Sequence, residues 1–159
     1  MGEVENAESP HERIIRLAFG YDESRYERFV RAIEMFTPAN TQVILRGSAV
    51  TGFRWADGQP FDGDGPGTSD LDVTFLSKEA CDLFEEFYIA GMHTAPLSED
   101  NPGAAPPLVD LRRRLCELAG RPVNLQASTS FVQFARDVLF DQPYYTLIER
   151  SDDREDQTS

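Results

Sequence analysis

A glycine–serine pair, Gly47-Ser48, and two aspartates, Asp70 and Asp72, are the residues whose types and spacing could do chemistry. Asp72 lies inside the apolar run Leu71-Asp72-Val73-Thr74-Phe75-Leu76, and Asp70 stands at its start. Side chains alternate along a strand, so two acids two residues apart share a face, with Cα atoms roughly 6–7 Å apart. Carboxylates so placed can converge on one divalent ion, or on a pair about 3.5–4 Å apart. A Gly-Ser turn on a neighbouring strand offers bare backbone N–H groups and a hydroxyl to a phosphate chain. Structural readings compete: Asp70 could cap the strand start, and Gly47-Ser48 could be an ordinary turn. An aspartate between Leu71 and Val73 is disfavoured unless exposed or paired.

These residues need strands to hold them. Gln42-Val43-Ile44-Leu45-Arg46 reads as a strand leading into Gly47-Ser48, and 70–76 as a second. Ahead of them, Ser9-Pro10-His11-Glu12 is a capping box that starts a helix with Ile14, Leu17 and Ala18 on one face and Gly20 at its end. Ser24-Arg25-Tyr26-Glu27 starts a second helix over 24–36, with Tyr26, Phe29, Val30, Ile33 and Phe36 at helical spacing. Residues 49–53 suit a short helical turn, and 55–67 form a loop rich in glycine and aspartate. Ser77 can cap a helix with the face Ala80, Leu83, Phe84 and Phe87; residues 91–107 then read as a long connection. Leu108, Leu111, Leu115 and Leu118 mark a helix ended by Gly120, and 122–127 a third strand. Ser130 precedes a helix bearing Phe131, Phe134, Ala135, Val138 and Leu139, and a short element follows at 144–148. Helices mixed with three or more short strands predict an α/β or α+β fold, a small mixed sheet with helices on one face.

A hydrophobic strand, Gly-Ser, a variable loop and then Asp-x-Asp on the next strand resembles the nucleotidyltransferase superfamily of the DNA polymerase β type. The closest likeness is to its small bacterial minimal members. The motif stands here as Leu45-Arg46-Gly47-Ser48-Ala49-Val50-Thr51-Gly52 and Thr68-Ser69-Asp70-Leu71-Asp72-Val73, within about residues 42–76, with a weaker likeness through 122–148. The resemblance implies a site on the open face of the sheet, with Asp70 and Asp72 holding Mg²⁺ or Mn²⁺. It implies nucleotide contacts from Gly47, Ser48, Arg46 and Ser69. The implied reaction moves a nucleoside monophosphate from a triphosphate to a hydroxyl of a small molecule or protein. The family's third carboxylate comes from a later strand, where Asn124 stands here. An amide can lend a carbonyl oxygen but cannot act as a base. Asp110 is the alternative third ligand if its segment were a strand, although its leucine spacing indicates a helix. The Asn124 substitution opens a second reading, a catalytically silent nucleotide-binding or toxin–antitoxin module of the same fold.

The 159 residues suit one domain over 10–150 between disordered acidic tails, 1–9 and 151–159. Net charge is −13, with three net negative charges in each tail. Such a field repels nucleic acid, argues against a template-directed polymerase and favours a small or basic acceptor. No apolar run is long enough to span a bilayer, and the acidic N-terminus lacks a secretory core, which predicts a cytoplasmic protein with no membrane partner. Cys81 and Cys116 lack metal-ligand spacing and read as buried, reduced thiols. An EF-hand beginning at Asp62 fails at Pro66 and Val73, and no Gly-Lys-Ser/Thr occurs for a P-loop. His11 and His93 read as surface or loop histidines, Arg54-Trp55 as a helix-end contact, and Arg112-Arg113-Arg114 as a solvated helix face. With no accessory domain apparent, a partner chain could complete an acceptor pocket.

Overall fold

A computed structural model describes residues 8–54, 57–129, 132 and 143–149. Two long helices come first, α1 (Pro10–Phe19) and α2 (Glu23–Phe36), then strand β1 (Gln42–Arg46) and a single-turn helix α3 (Ser48–Thr51). After β2 (Leu71–Leu76) come a short α4 (Lys78–Cys81), strands β3 (Phe87–Ile89) and β4 (His93–Thr94), and a 3₁₀ turn (Pro106–Leu108) running into α5 (Val109–Ala119). Strands β5 (Val123–Ser128) and β6 (Tyr144–Ile148) complete a six-stranded mixed sheet in the order β3-β4-β5-β2-β1-β6. The central pair β2 and β5 is parallel; the other pairings are antiparallel.

Alternation along the three central strands separates a core from a site. Val43 and Leu45 of β1, Leu71, Val73 and Phe75 of β2, and Val123, Leu125 and Ala127 of β5 belong to one buried apolar cluster. That cluster also holds Ile14 and Phe19 of α1, Phe29 and Ile33 of α2, and Leu111 and Leu115 of α5, so the long helices cover that face. The Phe19 ring meets the Phe29 and Tyr26 rings edge-on at 5.2 and 5.6 Å. Period two then directs Arg46, Asp72, Thr74, Asn124 and Gln126 to the opposite face.

The capping box at Ser9 forms, with reciprocal bonds between Ser9 and Glu12, and Gly20 ends α1 in the left-handed conformation. For α2 the cap is Asp22, whose carboxylate accepts from Arg25 N, two residues before the expected Ser24. The helix expected from Ser77 through Phe87 stops at Cys81. Leu83 and Phe84 continue in turns, and Phe87 starts a strand that pairs with β4. The 91–107 connection accordingly contains β4. Glu8 and Ser9, at the inner end of the first tail, are held to α1, Glu8 by a two-point bond from Arg16 at 2.6 and 2.8 Å. Residues 1–7 and 150–159, Trp55, and the helix expected after Ser130, apart from Val132, lie outside the described residues. Among the described residues no helix is long and apolar enough to cross a membrane.

Candidate functional site

Strand register brings the expected residues into one row. Arg46 of β1 faces Asp72 of β2 in the antiparallel pair, and Asp72 faces Asn124 of β5 in the parallel pair. Both aspartates lean toward β5: the Asn124 amide nitrogen donates to Asp70 Oδ2 at 3.1 Å and to Asp72 Oδ1 at 3.0 Å. One nitrogen with two hydrogens thus bridges two carboxylates. Asn124 therefore occupies the place beside the aspartates where the resemblance expects a third acid. Asp110 does not: it is an exposed residue of α5, paired with Arg113 at 3.0 Å.

The glycine turn closes on the same carboxylate. Gly47 has φ +98°, a conformation in which a side chain is strained, and a Cβ added there would stand 3.1 Å from Asp72 Oδ2. Glycine lets the β1–α3 turn come this close to the acid without strain or crowding. The turn is braced from behind, where the Arg13 guanidinium of α1 donates to Val50 O of α3 at 2.7 Å. Burial raises the Asp72 pKa above the ordinary carboxylate value; the Asn124 bond opposes this, Asp70 adds repulsion, and Arg46 attracts. Asp72 is thus a carboxylate in a place that penalises its charge.

Beyond this row the open face deepens into a cleft of about 370 Å³ lined by Arg46, Asp72, Asn124, Gln126, His93 and Tyr88. Arg46 extends along the sheet, donating to Thr74 Oγ1 at 3.4 Å and Gln126 Oε1 at 3.3 Å. Gln126 in turn donates to Thr94 O at 2.6 Å, which fixes its amide orientation. His93 corrects the reading of it as a loop histidine: it is a buried residue of β4, hydrogen-bonded to Ser128 Oγ at 2.6 Å. Ser69 is buried too, and its hydroxyl accepts from Asp62 N at 2.8 Å, toward the loop. Arg54 pairs with Asp57 and Asp64 at 2.9 and 2.8 Å. His11 packs edge-on against Tyr26 and bonds the Tyr145 hydroxyl at 3.1 Å. Arg112 donates to Val123 O at 2.8 Å, so the arginine run is partly structural. Both cysteines are free; Cys116 is only partly buried, which corrects the reading of two buried thiols, while burial pushes the Cys81 thiol up to about 11, far from a reactive thiolate.

The donor set fits a hard divalent cation. Two carboxylates and an amide carbonyl are all-oxygen ligands, the kind Mg²⁺ and Mn²⁺ take. Among the described residues no group of three or more His, Cys, Asp or Glu converges. Mg²⁺ typically uses one or two carboxylates and completes its shell with water and substrate phosphates, so two aspartates suffice only if phosphate arrives with the ion. To lend its oxygen, the Asn124 amide must turn from donating to accepting.

Sequence reasoning missed Gln126, Thr74, Tyr88 and the Asp62–Arg121 pair. The first two had a usable signal, since they fall two residues beyond Asn124 and Asp72 on the same strand faces. Comparison of the chain with protein-family models, with curated proteins and with solved structures finds no match.

Proposed function

We propose that this chain is a metal-dependent nucleotidyltransferase that moves a nucleoside monophosphate from a triphosphate to a hydroxyl of a small molecule or protein. The convergence of Asp70, Asp72 and Asn124 beside the Gly47 turn carries this reading. Asp70 and Asp72 would hold Mg²⁺ or Mn²⁺. When bound, the ion offsets phosphate charge and lowers the pKa of the acceptor hydroxyl. The backbone N–H groups at Gly47-Ser48 and the Ser48 hydroxyl receive the β and γ phosphates. Arg46 adds positive charge at the head of the cleft, and the cleft floor of Thr74 and Gln126 offers hydrogen bonds to an acceptor. Catalysis in such a site is mainly positioning and charge stabilisation, which rigid strands supply. The reading goes with a cytoplasmic protein, and with a second chain that could complete the acceptor pocket.

One observation favours a second reading. Asn124 is neutral and cannot take the acceptor's proton, which suits a silent nucleotide-binding module, a sensor or half of a toxin–antitoxin pair. The two are separated by incubating the protein with Mg²⁺ or Mn²⁺ and each labelled triphosphate, with candidate small-molecule and protein acceptors. Pyrophosphate release and a labelled adduct support transfer. Metal-dependent nucleotide binding without turnover supports the silent module. Absence of metal-dependent nucleotide binding refutes both.

A further inference from the structure

Asp70 stands outside the β2 ladder, one residue before Leu71, and is exposed. A carboxylate there would be poorly placed unless its backbone were held. Two ties hold it, both from the segment entering β5. On one side the Arg121 guanidinium donates to Ser69 O at 3.1 Å, and on the other Leu71 N donates to Pro122 O at 3.0 Å. Arg121 is itself fixed by a two-point bond to Asp62 at 2.7 and 3.1 Å, by donation to Leu17 O at 3.4 Å, and by the Phe61 ring 4.5 Å from its guanidinium carbon. Asp62 accepts from Ser69 N at 2.9 Å and Gly67 N at 3.1 Å, while its own N–H donates to Ser69 Oγ at 2.8 Å. The loop is thus cinched at its neck by reciprocal bonds between Asp62 and Ser69, one residue from Asp70.

The pair is largely withdrawn from water, with 7% of the Arg121 side chain and 21% of the Asp62 side chain exposed. A buried ion pair adds little net stability over apolar residues of the same size. Planar guanidinium and carboxylate meet here in the two-point manner that sets both distance and angle. Asp62 bonds to Ser69 and Gly67 of the loop and to Arg121, apart from the row of Asp72 and Asn124.

We propose that Asp62 and Arg121 are positioning residues: through Ser69 they set the Asp70 carboxylate beside Asp72 and so tune cation and nucleotide affinity at the site. This inference rests on the reading of that site as a metal–nucleotide site. Supporting residues of this kind typically shift metal affinity 10–100-fold when changed.

The test uses the full chain, Mn²⁺ and a triphosphate analogue with a methylene bridge between its α and β phosphorus atoms. Calorimetry gives nucleotide affinity, and the electron-spin resonance of Mn²⁺ reports bound ion. Asp62→Asn and Arg121→Lys should each weaken Mn²⁺-dependent binding by about tenfold or more, at a temperature where melting curves show both folded. Ser69→Ala, which removes one hydroxyl bond and no charge, should weaken it less and serves if the charged variants fail to fold. Ile33→Ala, a core change in α2, should lower the melting temperature and leave affinity at the wild-type value. Unchanged affinity in the folded Asp62→Asn, Arg121→Lys or Ser69→Ala protein overturns the inference, as does an equal loss in Ile33→Ala. A wild-type chain that binds no nucleotide with Mn²⁺ instead overturns the site reading, and the inference with it; that outcome is visible before any variant is made.

Discussion

Replacing Asn124 by aspartate turns the bridging amide into a third negative charge. Two bonds from the amide to carboxylates are lost; hydrogen bonds to charged groups contribute about 1.5–3 kcal/mol each, and the exposed position of Asp70 puts its bond at the low end. A carboxylate at about 4 Å from Asp72 repels it by up to about 4 kcal/mol at an effective dielectric constant of 20, and less where solvent reaches Asp70. Proton uptake by the crowded acids caps the total. A net loss of about 4 kcal/mol follows, a large part of the 5–15 kcal/mol that holds a typical domain. For a chain of this length the melting temperature should fall by roughly 8–16 °C in chelator at neutral pH. The sign with pH is set by the raised pKa of Asp72 and of the added acid. Their penalty is complete above their folded values and is relieved as pH falls toward the unfolded values, so the deficit should shrink on mild acidification. Millimolar Mg²⁺ or Mn²⁺ should restore stability, since three carboxylates make a better cation site than two. The assay is thermal denaturation of both proteins, in chelator and in metal, across pH. If Asn124→Asp melts with the wild type in chelator and ignores divalent ions, the amide bridge is not what holds the acids together.

Asp72→Asn removes a carboxylate whose charge burial penalises, so its metal-free melting temperature should equal or exceed that of the wild type while Mn²⁺-dependent nucleotide affinity drops at least about tenfold, read by melting and calorimetry. Gly47→Ala imposes a side chain at φ +98° and ψ −163°, a region almost reserved for glycine, and pushes a Cβ toward Asp72 Oδ2; it should cost about 1–3 kcal/mol in denaturant unfolding and weaken nucleotide binding as well. Burial works against the ionised Asp62, but bonds from Arg121 and from the Ser69 and Gly67 amides outweigh it and hold its pKa below the ordinary 3.8. Its contribution is therefore complete above about that pH and lost as pH falls through the lower folded value. The stability gap between wild type and Asp62→Asn should be level from neutral pH down to about pH 4 and close below it, as measured by urea unfolding.

The parts of the fold legible in the sequence are those whose signals are local. The Ser9 box, the period of Tyr26, Phe29 and Ile33, the leucines ahead of Gly120, and the alternation in β1, β2 and β5 each lie within one element. The site row was legible for the same reason, since strand phase alone sends Arg46, Asp72 and Asn124 to one face once the strands are adjacent. The β3–β4 hairpin was not, because Ala80, Leu83, Phe84 and Phe87 satisfy helical spacing although the helix ends at Cys81 and Phe87 lies in a strand. Strands as short as His93–Thr94 are specified by their neighbours rather than by their own residues. Asp62 and Arg121 stand 59 residues apart, and no local pattern joins two charges across that distance. Their closing of the loop onto β5 appears only in the folded chain, as does the place of His93 in the cleft wall.

The parallel contact between β2 and β5 has a kinetic consequence. The whole segment 77–122 must return before Asp72 can meet Asn124, so the pocket is absent from any partly folded chain that has only its local helices and the β1–β2 ribbon. Late, distant pairing of this kind slows folding. A cation and nucleotide binding across that seam would grip two ends of a long excursion at once. Saturating ligand should therefore slow global unfolding, and amide exchange in α5, remote from the acids, should fall along with exchange in β2.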